Sequence, residues 1–182
     1  KSPILLILGK ALTKMTNKEF FIQTWLSEMK RTAAAVRGLP EDMNRLDYKC
    51  NEKARSAAEI IGHMLPHAEA LCNAADSFIA DEEYGKTFKT TEDAALYFEK
   101  NAAQTAEKLK AIDDKVWNEQ IVEFRVNGNK LFEAPMMDIY WMFMFDIIHH
   151  RGQLSTYYRN MGVRNPQIYG PTAEDMEAMA GS

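Results

Sequence analysis

The 182-residue chain has only two cysteines, Cys50 and Cys72, and neither lies in a CxxC pair. Two cysteines cannot build the disulfide framework of a small secreted domain, so the composition fits a reducing, cytoplasmic setting. Nine glycines and six prolines are also few, which disfavours a turn-rich β-sandwich. The net charge is −4 without a Lys/Arg block, and binding phosphates needs clustered positive charge, so we expect no nucleic-acid partner.

Long hydrophobic runs are absent as well. Ile4–Leu8 spans five residues and Ile139–Phe145 seven, whereas a membrane span needs about 20. We therefore expect no membrane partner. We interpret residues 1–15 as an N-terminal extension and residues 16–182 as one domain. A trimmed signal-peptide remnant is the alternative for the first segment, although no cleavage-site pattern follows it.

Four segments carry helical signals. Thr16 with Glu19 has the spacing of a capping box, and Ser56 with Glu59 repeats it. Apolar residues recur at helical spacing after each start. A shorter helix is expected after Thr172. We predict long helices over residues 17–37, 57–79, 91–112 and 136–160.

Residues 119–133 depart from the helical pattern. Val122, Phe124 and Val126 alternate with charged residues, and Asn127-Gly128 is a strong hairpin-turn signal. A small β-hairpin is therefore expected beside the helices. The sequence as a whole predicts an all-α fold, a four-helix bundle with this hairpin appended.

The fourth long helix is apolar around most of its circumference between Ile139 and Phe145. A helix of this kind is buried on more than one side. One helical core does not easily cover such a helix, and a large exposed apolar patch is unusual on a monomer. We therefore expect a homodimer, and we interpret the Met and aromatic run as core and dimer surface rather than as a cofactor site.

Asp146 interrupts this apolar stretch, and His150 lies four residues further along the same helical face. A buried carboxylate needs a cation or several hydrogen-bond donors. The neighbouring His149 points about 100° away and is interpreted as a packing or interface residue. Asp146 and His150 are therefore a candidate pair for a buried polar site.

His63 and His67 have the same spacing in the second helix, where two imidazoles can share one ion. Three ligands taken from these residues, Asp146 and His150 would suit Zn, Ni or Fe(II) with open coordination positions. Two questions stay open at this point. Asp146 and His150 could form a hydrogen-bonded pair without a metal. Wheel geometry places His67 nearer the core than His63, but Pro66 disturbs that geometry.

The segment His149–Arg159, HHRGQLSTYYR, resembles the fourth-helix signature of the DinB/YfiT-like family. Residues 56–63 resemble the family's second-helix segment and residues 168–173 its C-terminal tail. The resemblance covers about residues 16–176. It implies a four-helix bundle in up-down-down-up order, often a homodimer, with a divalent metal site. Characterised members include thiol-dependent transferases and isomerases.

The resemblance also implies a ligand set. By position, the family's metal ligands fall on His63, Asp146 and His150, which favours His63 over His67. The family more often has histidine where this chain has Asp146. A carboxylate is still a competent ligand for a divalent ion.

Two further residues share the helical stripe of Asp146 and His150, and we assign them catalytic roles. Gln153 would orient a water or thiol held by the metal, and Tyr157 would hydrogen-bond the substrate. The expected function is a metal-dependent thiol transferase or hydrolase acting on a small molecule, with a low-molecular-weight thiol as cofactor. The alternatives are a non-catalytic metal- or ligand-binding dimer with a degenerate site, and a structural Asp146–His150 pair.

Overall fold

The computed structural model describes residues 14–181, which are mostly helical with one small sheet. The extension expected at residues 1–15 falls almost entirely outside these residues. The helices are α1 (Asn17–Arg37), α2 (Ala57–Ser77), α3 (Thr91–Ala111), α4 (Asp114–Glu119), α5 (Met136–Ser155) and α6 (Ala173–Ala180), with a 3₁₀ turn at Met43–Asp47. The strands are β1 (Ile79–Glu82), β2 (Ile121–Val126) and β3 (Asn129–Pro135).

The long helices begin where the sequence predicts. Thr16 and Ser56 both form complete capping boxes, in which each hydroxyl accepts a first-turn N–H and the Glu three residues on accepts the N–H of the cap residue. Two ends differ from prediction. Helix α2 ends at Ser77 because Phe78 adopts a left-handed conformation, with φ of 57°. Helix α5 ends at Ser155 rather than 160, where the chain passes into turns.

The predicted hairpin is present as β2 and β3, and its turn residues Asn127 and Gly128 both have positive φ. The sheet nevertheless has one strand more than predicted. Strand β1 pairs in parallel with β2, from Ile79 opposite Glu123 to Glu82 opposite Val126. A four-residue strand whose partner lies more than forty residues away leaves little local signal. Glu82 ends β1 as a buried carboxylate.

The four long helices contact one another in a closed ring, with α1 against α3, α3 against α2, α2 against α5 and α5 against α1. Their inner faces bury large side chains completely, including Trp25, Phe98 and Tyr140. The short helix α4 adds the buried Trp117, whose ring meets that of Tyr140 edge to face. The α2–α5 contact is the one that positions the polar site.

Helix α5 is not buried on every side. Ile139, Tyr140 and Ile147 face the core, whereas Met142 and Phe145 are exposed. The exposed fraction of Phe145 is 59%. The partly exposed Trp141 contacts Phe145 and Phe20 of α1 with tilted rings, so these side chains form a continuous aromatic patch. None of the described helices has the length and apolarity needed to cross a membrane. We call the exposed surface of Phe20, Trp141, Met142 and Phe145 the aromatic patch.

The segment between β1 and α3 lies directly on α2 at Gly62. A Cβ atom at this position would lie 2.6 Å from the carbonyl oxygen of Lys86, closer than van der Waals contact allows. Gly62 is therefore required for close approach of two backbones. This contact fixes residues 84–88 against the helix that carries His63 and His67.

Candidate metal centre

Three imidazoles face one oxygen of Asp146. Its Oδ2 atom lies 2.6 Å from His67 Nε2, 3.3 Å from His150 Nε2 and 3.5 Å from His63 Nε2. The four-residue spacing aligns His63 with His67 on α2 and Asp146 with His150 on α5. Packing of α2 against α5 then brings the two pairs together. The rings of His63 and His150 meet edge to face, with centroids 4.5 Å apart.

The Asp146 carboxylate is ionised in this setting. Burial raises its pKa, but hydrogen bonds from His150, His63 and His67 outweigh burial and hold the pKa well below the ordinary value of 3.8. Its side chain is 39% exposed. The site therefore presents a partly exposed, anionic carboxylate whose Oδ2 atom faces three imidazole nitrogens.

His67 is held from behind by Glu82. His67 Nδ1 hydrogen-bonds Glu82 Oε1, and both side chains are 5% exposed. Burial lowers the pKa of His67, but the hydrogen bonds to Asp146 and Glu82 raise it above 6.5 overall. Glu82, His67 and Asp146 thus form a hydrogen-bonded row that runs from strand β1 to helix α5 and fixes the imidazole of His67.

Gln153 lies beside the site and connects two histidines. Its Oε1 atom is 2.8 Å from His150 Nδ1, and its amide nitrogen is 3.0 Å from His149 Nε2. When a neutral His150 donates its Nδ1 proton to the amide oxygen, Nε2 carries the lone pair, which would then be available to a metal ion rather than to Asp146. Gln153 therefore sets the ring orientation of His150.

Tyr157 occupies a different place from that expected of a residue on the α5 stripe, because α5 ends two residues before it. Its hydroxyl donates to the Arg55 carbonyl at 3.0 Å and contacts Cys50 Sγ at 3.4 Å. Burial and the Cys50 contact raise the pKa of Tyr157 to about 12. Within residues 14–181, the hydroxyl makes no hydrogen bond to the Asp146 cluster.

The geometry is compatible with a bound cation. His63, His67 and Asp146 each offer a ligand atom, and these atoms lie within 4.8 Å of one another. His150 adds a further imidazole against the same carboxylate oxygen. Nitrogen donors with a single carboxylate suit a borderline divalent ion such as Zn, Ni or Fe(II).

Two cavities border the cluster. A cavity of about 410 Å³ is lined by His63 and Tyr84 among others. A more open one of about 950 Å³ is lined by His149, Gln153 and Tyr157. A small molecule in either cavity would lie against side chains of the Asp146 cluster or their immediate hydrogen-bond partners.

Comparison with known proteins places the chain in a family. The model of the DinB family matches residues 14–181. The chain belongs to the DinB family. No curated protein matches it in sequence.

Two solved structures share the DinB-like fold of this DinB-family chain. A DinB-like protein from Bacillus subtilis is 19% identical with a TM-score of 0.61, and the match covers 84% of this chain and 99% of the other. A DinB-like protein from Bacillus cereus is 18% identical with a TM-score of 0.63, covering 83% and 97%. At these identities the likeness concerns the fold alone.

Sequence reasoning located most of the cluster in this DinB-family chain but not all of it. His63, Asp146 and His150 were expected together, and the structure brings them together with His67 as well. Glu82 was missed. Its only signal is a charged residue in a short alternating segment, which gives no indication that the carboxylate turns inward toward His67.

Proposed function

We propose that this DinB-family protein is a cytoplasmic metalloenzyme that binds one divalent ion through His63, Asp146 and His150. The observation that carries the proposal is the convergence of imidazole nitrogens on one oxygen of Asp146. Two ligand atoms about 2.0–2.1 Å from a tetrahedral ion lie about 3.3–3.4 Å apart. The distances from Asp146 Oδ2 to His150 and His63, 3.3 and 3.5 Å, match this spacing.

His67 has another role in this proposal. Its 2.6 Å approach to Asp146 Oδ2 is too short for two ligands of one tetrahedral ion, but it is the length of a charge-assisted hydrogen bond. His67 therefore orients the Asp146 carboxylate, and Glu82 orients His67. Gln153 does the same for His150. Such outer partners fix ligand geometry and tautomer.

The reaction class proposed is thiol transfer or hydrolysis on a small molecule, with a low-molecular-weight thiol as cofactor in the first case. A bound divalent ion lowers the pKa of a water or thiol in its open position. The chain itself seats the substrate in the cavities beside His63 and Gln153. Tyr157 lines the second of them, and donating to a substrate would require its hydroxyl to leave the Arg55 carbonyl.

Zinc affinity of the single histidine variants tests this ligand set. His63→Ala and His150→Ala should each weaken binding by more than about 100-fold, whereas His67→Ala should cost about 10–100-fold, as for an outer partner. His149→Ala removes the exposed imidazole that bonds the Gln153 amide and should cost the least of the four variants, less than about tenfold. Competition with a fluorescent chelator on metal-free protein measures each constant. If His67→Ala loses more zinc affinity than His63→Ala, then His67 is the ligand and His63 the outer partner.

A measurement of the thiol-transfer rate distinguishes a catalytic protein from one that only binds the metal ion. A panel of low-molecular-weight thiols is offered with the electrophile 1-chloro-2,4-dinitrobenzene, with and without Zn, Ni or Fe(II). The enzyme proposal expects a metal-dependent rate that His150→Ala removes. A protein that binds the ion tightly but gives no rate with any thiol or hydrolysable ester would be the non-catalytic binding dimer.

We further propose that the four long helices form an up-down-down-up bundle that pairs with a second copy through the aromatic patch. The patch joins Phe20 of α1 to Trp141 and Phe145 of α5, and a second copy would remove its exposed rings from water. Sedimentation should show a dimer at micromolar concentration and a monomer for Phe145→Lys. A wild-type monomer under the same conditions would contradict the pairing.

A further inference from the structure

Arg55 lies on the wall that the two cavities share. Its side chain is half-buried, and within residues 14–181 the guanidinium has no hydrogen bond, ion pair or ring contact, although its carbonyl accepts from Tyr157. A guanidinium presents a planar set of donors that matches a carboxylate, sulfonate or phosphate. Arg55 is therefore free to bind an anionic group of a ligand.

The charges around Arg55 also favour binding of an anion. Among the described residues that line the two cavities, the acidic side chain is Glu59, and it is already paired with Lys49 at 2.9 Å. Lys86 is neutralised by Glu69. Lys53 adds a second cation to the larger cavity. The cavity walls are thus cationic in a chain whose net charge is −4, and they attract anions.

The smaller cavity supplies an apolar surface beside this cation. Met43, Ala58, Tyr84 and Phe88 line it. Its volume of about 410 Å³ lies within the usual range for small-molecule sites, which combine an apolar lining with a few placed polar groups. His63 stands on the same wall, so a ligand in this cavity reaches the Asp146 cluster.

We infer that this cavity binds a small organic anion with an apolar body, whose anionic group rests on Arg55 and whose body lies against Ala58 and Phe88. The ligand would direct one end toward His63. Taking this ligand as the substrate rests on the proposed function. The anion binding itself needs no metal ion. Its success or failure is therefore measured separately from that of the metal site.

The test compares two fluorescent probes on the full chain freed of metal. 8-Anilinonaphthalene-1-sulfonate carries a sulfonate, and N-phenyl-1-naphthylamine has the same aromatic body without it. Arg55→Met should weaken binding of the sulfonate probe by about tenfold or more and change binding of the neutral probe by less than about twofold, as loss of a charge-assisted hydrogen bond requires. Arg55→Lys should bind the sulfonate probe with an affinity between those of wild type and Arg55→Met.

Two further variants place the probe and control for charge. Ala58→Phe fills the apolar part of the cavity and should abolish binding of both probes while the circular dichroism spectrum stays helical. Lys115→Met removes one cation whose side chain is 79% exposed and should change neither constant. Equal affinity of Arg55→Met and wild type for the sulfonate probe would overturn the inference. So would full binding in Ala58→Phe, because the probe would then lie elsewhere, for example on the aromatic patch.

Discussion

Replacing Arg151 with methionine should lower the free energy of unfolding by about 3–5 kcal/mol, the usual cost of breaking a buried ion pair on one side. The Arg151 side chain is 2% exposed and donates to Glu28 Oε2 at 2.6 Å. It also donates to the Glu28 carbonyl and to Thr32 Oγ1. Tyr169 of the C-terminal segment donates to the same carboxylate oxygen. Urea unfolding measures the loss.

The double variant Glu28→Gln/Arg151→Met should recover part of that stability, because no charge is then left buried without its partner. Arg159→Met removes an arginine from the exposed pair with Glu174 and should leave the unfolding midpoint unchanged. A loss in Arg151→Met no larger than in Arg159→Met would show that the buried pair does not stabilise the fold.

The Arg151 effect should also depend on pH. Burial raises the pKa of Glu28, but Tyr169, Arg151 and Arg31 together bring it below the ordinary value of 4.5. A carboxylate whose folded-state pKa is depressed stabilises the protein above its unfolded pKa, and that contribution is lost as pH falls through the folded pKa. The difference in free energy of unfolding between wild type and Arg151→Met should therefore become smaller as the pH falls. A difference that does not change with pH would contradict the ion-pair explanation.

Asp146→Ala should weaken zinc binding by more than about 100-fold, beyond the usual 10–100-fold cost of losing an outer partner. It removes the anionic oxygen on which His63, His67 and His150 converge. The variant should remain folded, since the Asp146 side chain is 39% exposed and its charge leaves with it. Asp146→His restores the residue more common in the family and should bind zinc or nickel at least as well as wild type, because a neutral imidazole suits both ions.

Asp138→Ala provides a matched control, since it removes a carboxylate from the first turn of the same helix. Its zinc affinity should equal that of wild type. If Asp146 is only a hydrogen-bond acceptor, Asp146→Ala should instead leave zinc binding intact and cost about 1–3 kcal/mol of stability through unsatisfied imidazoles. Zinc titration and urea unfolding of the same preparations separate the two outcomes.

The parts of this structure that were predictable from sequence are those encoded locally. Capping boxes at Thr16 and Ser56 fix helix starts because both partners lie three residues apart. Asn127-Gly128 fixes the hairpin because only its own backbone angles matter. Strand β1 was not foreseen, since a parallel pairing across more than forty residues leaves little local signal. The end of α5 was placed too late, because apolar spacing continues into the turns that follow Ser155.

The same distinction applies to the site. Spacing of four residues places His63 with His67 and Asp146 with His150 on shared faces, which the sequence shows directly. That the two pairs meet depends on α2 packing against α5. Wheel geometry left the choice between His63 and His67 open because Pro66 disturbs the helix between them. In the structure both imidazoles face Asp146, and His67 is the more buried of the two and is bonded to Glu82.

The backbone contact at Gly62 has a consequence for how ligand selectivity can diverge among proteins of this shape. Within the wall formed by residues 84–88, the main chain of Lys86 lies directly against α2 at Gly62, and the Lys86 side chain pairs with Glu69 of the same helix. Thr87 and Phe88 can therefore be exchanged to reshape the cavity while the helix that carries the histidines stays in place. Ligand selectivity would then change through these side chains without altering the metal ligands, as long as Gly62 is kept.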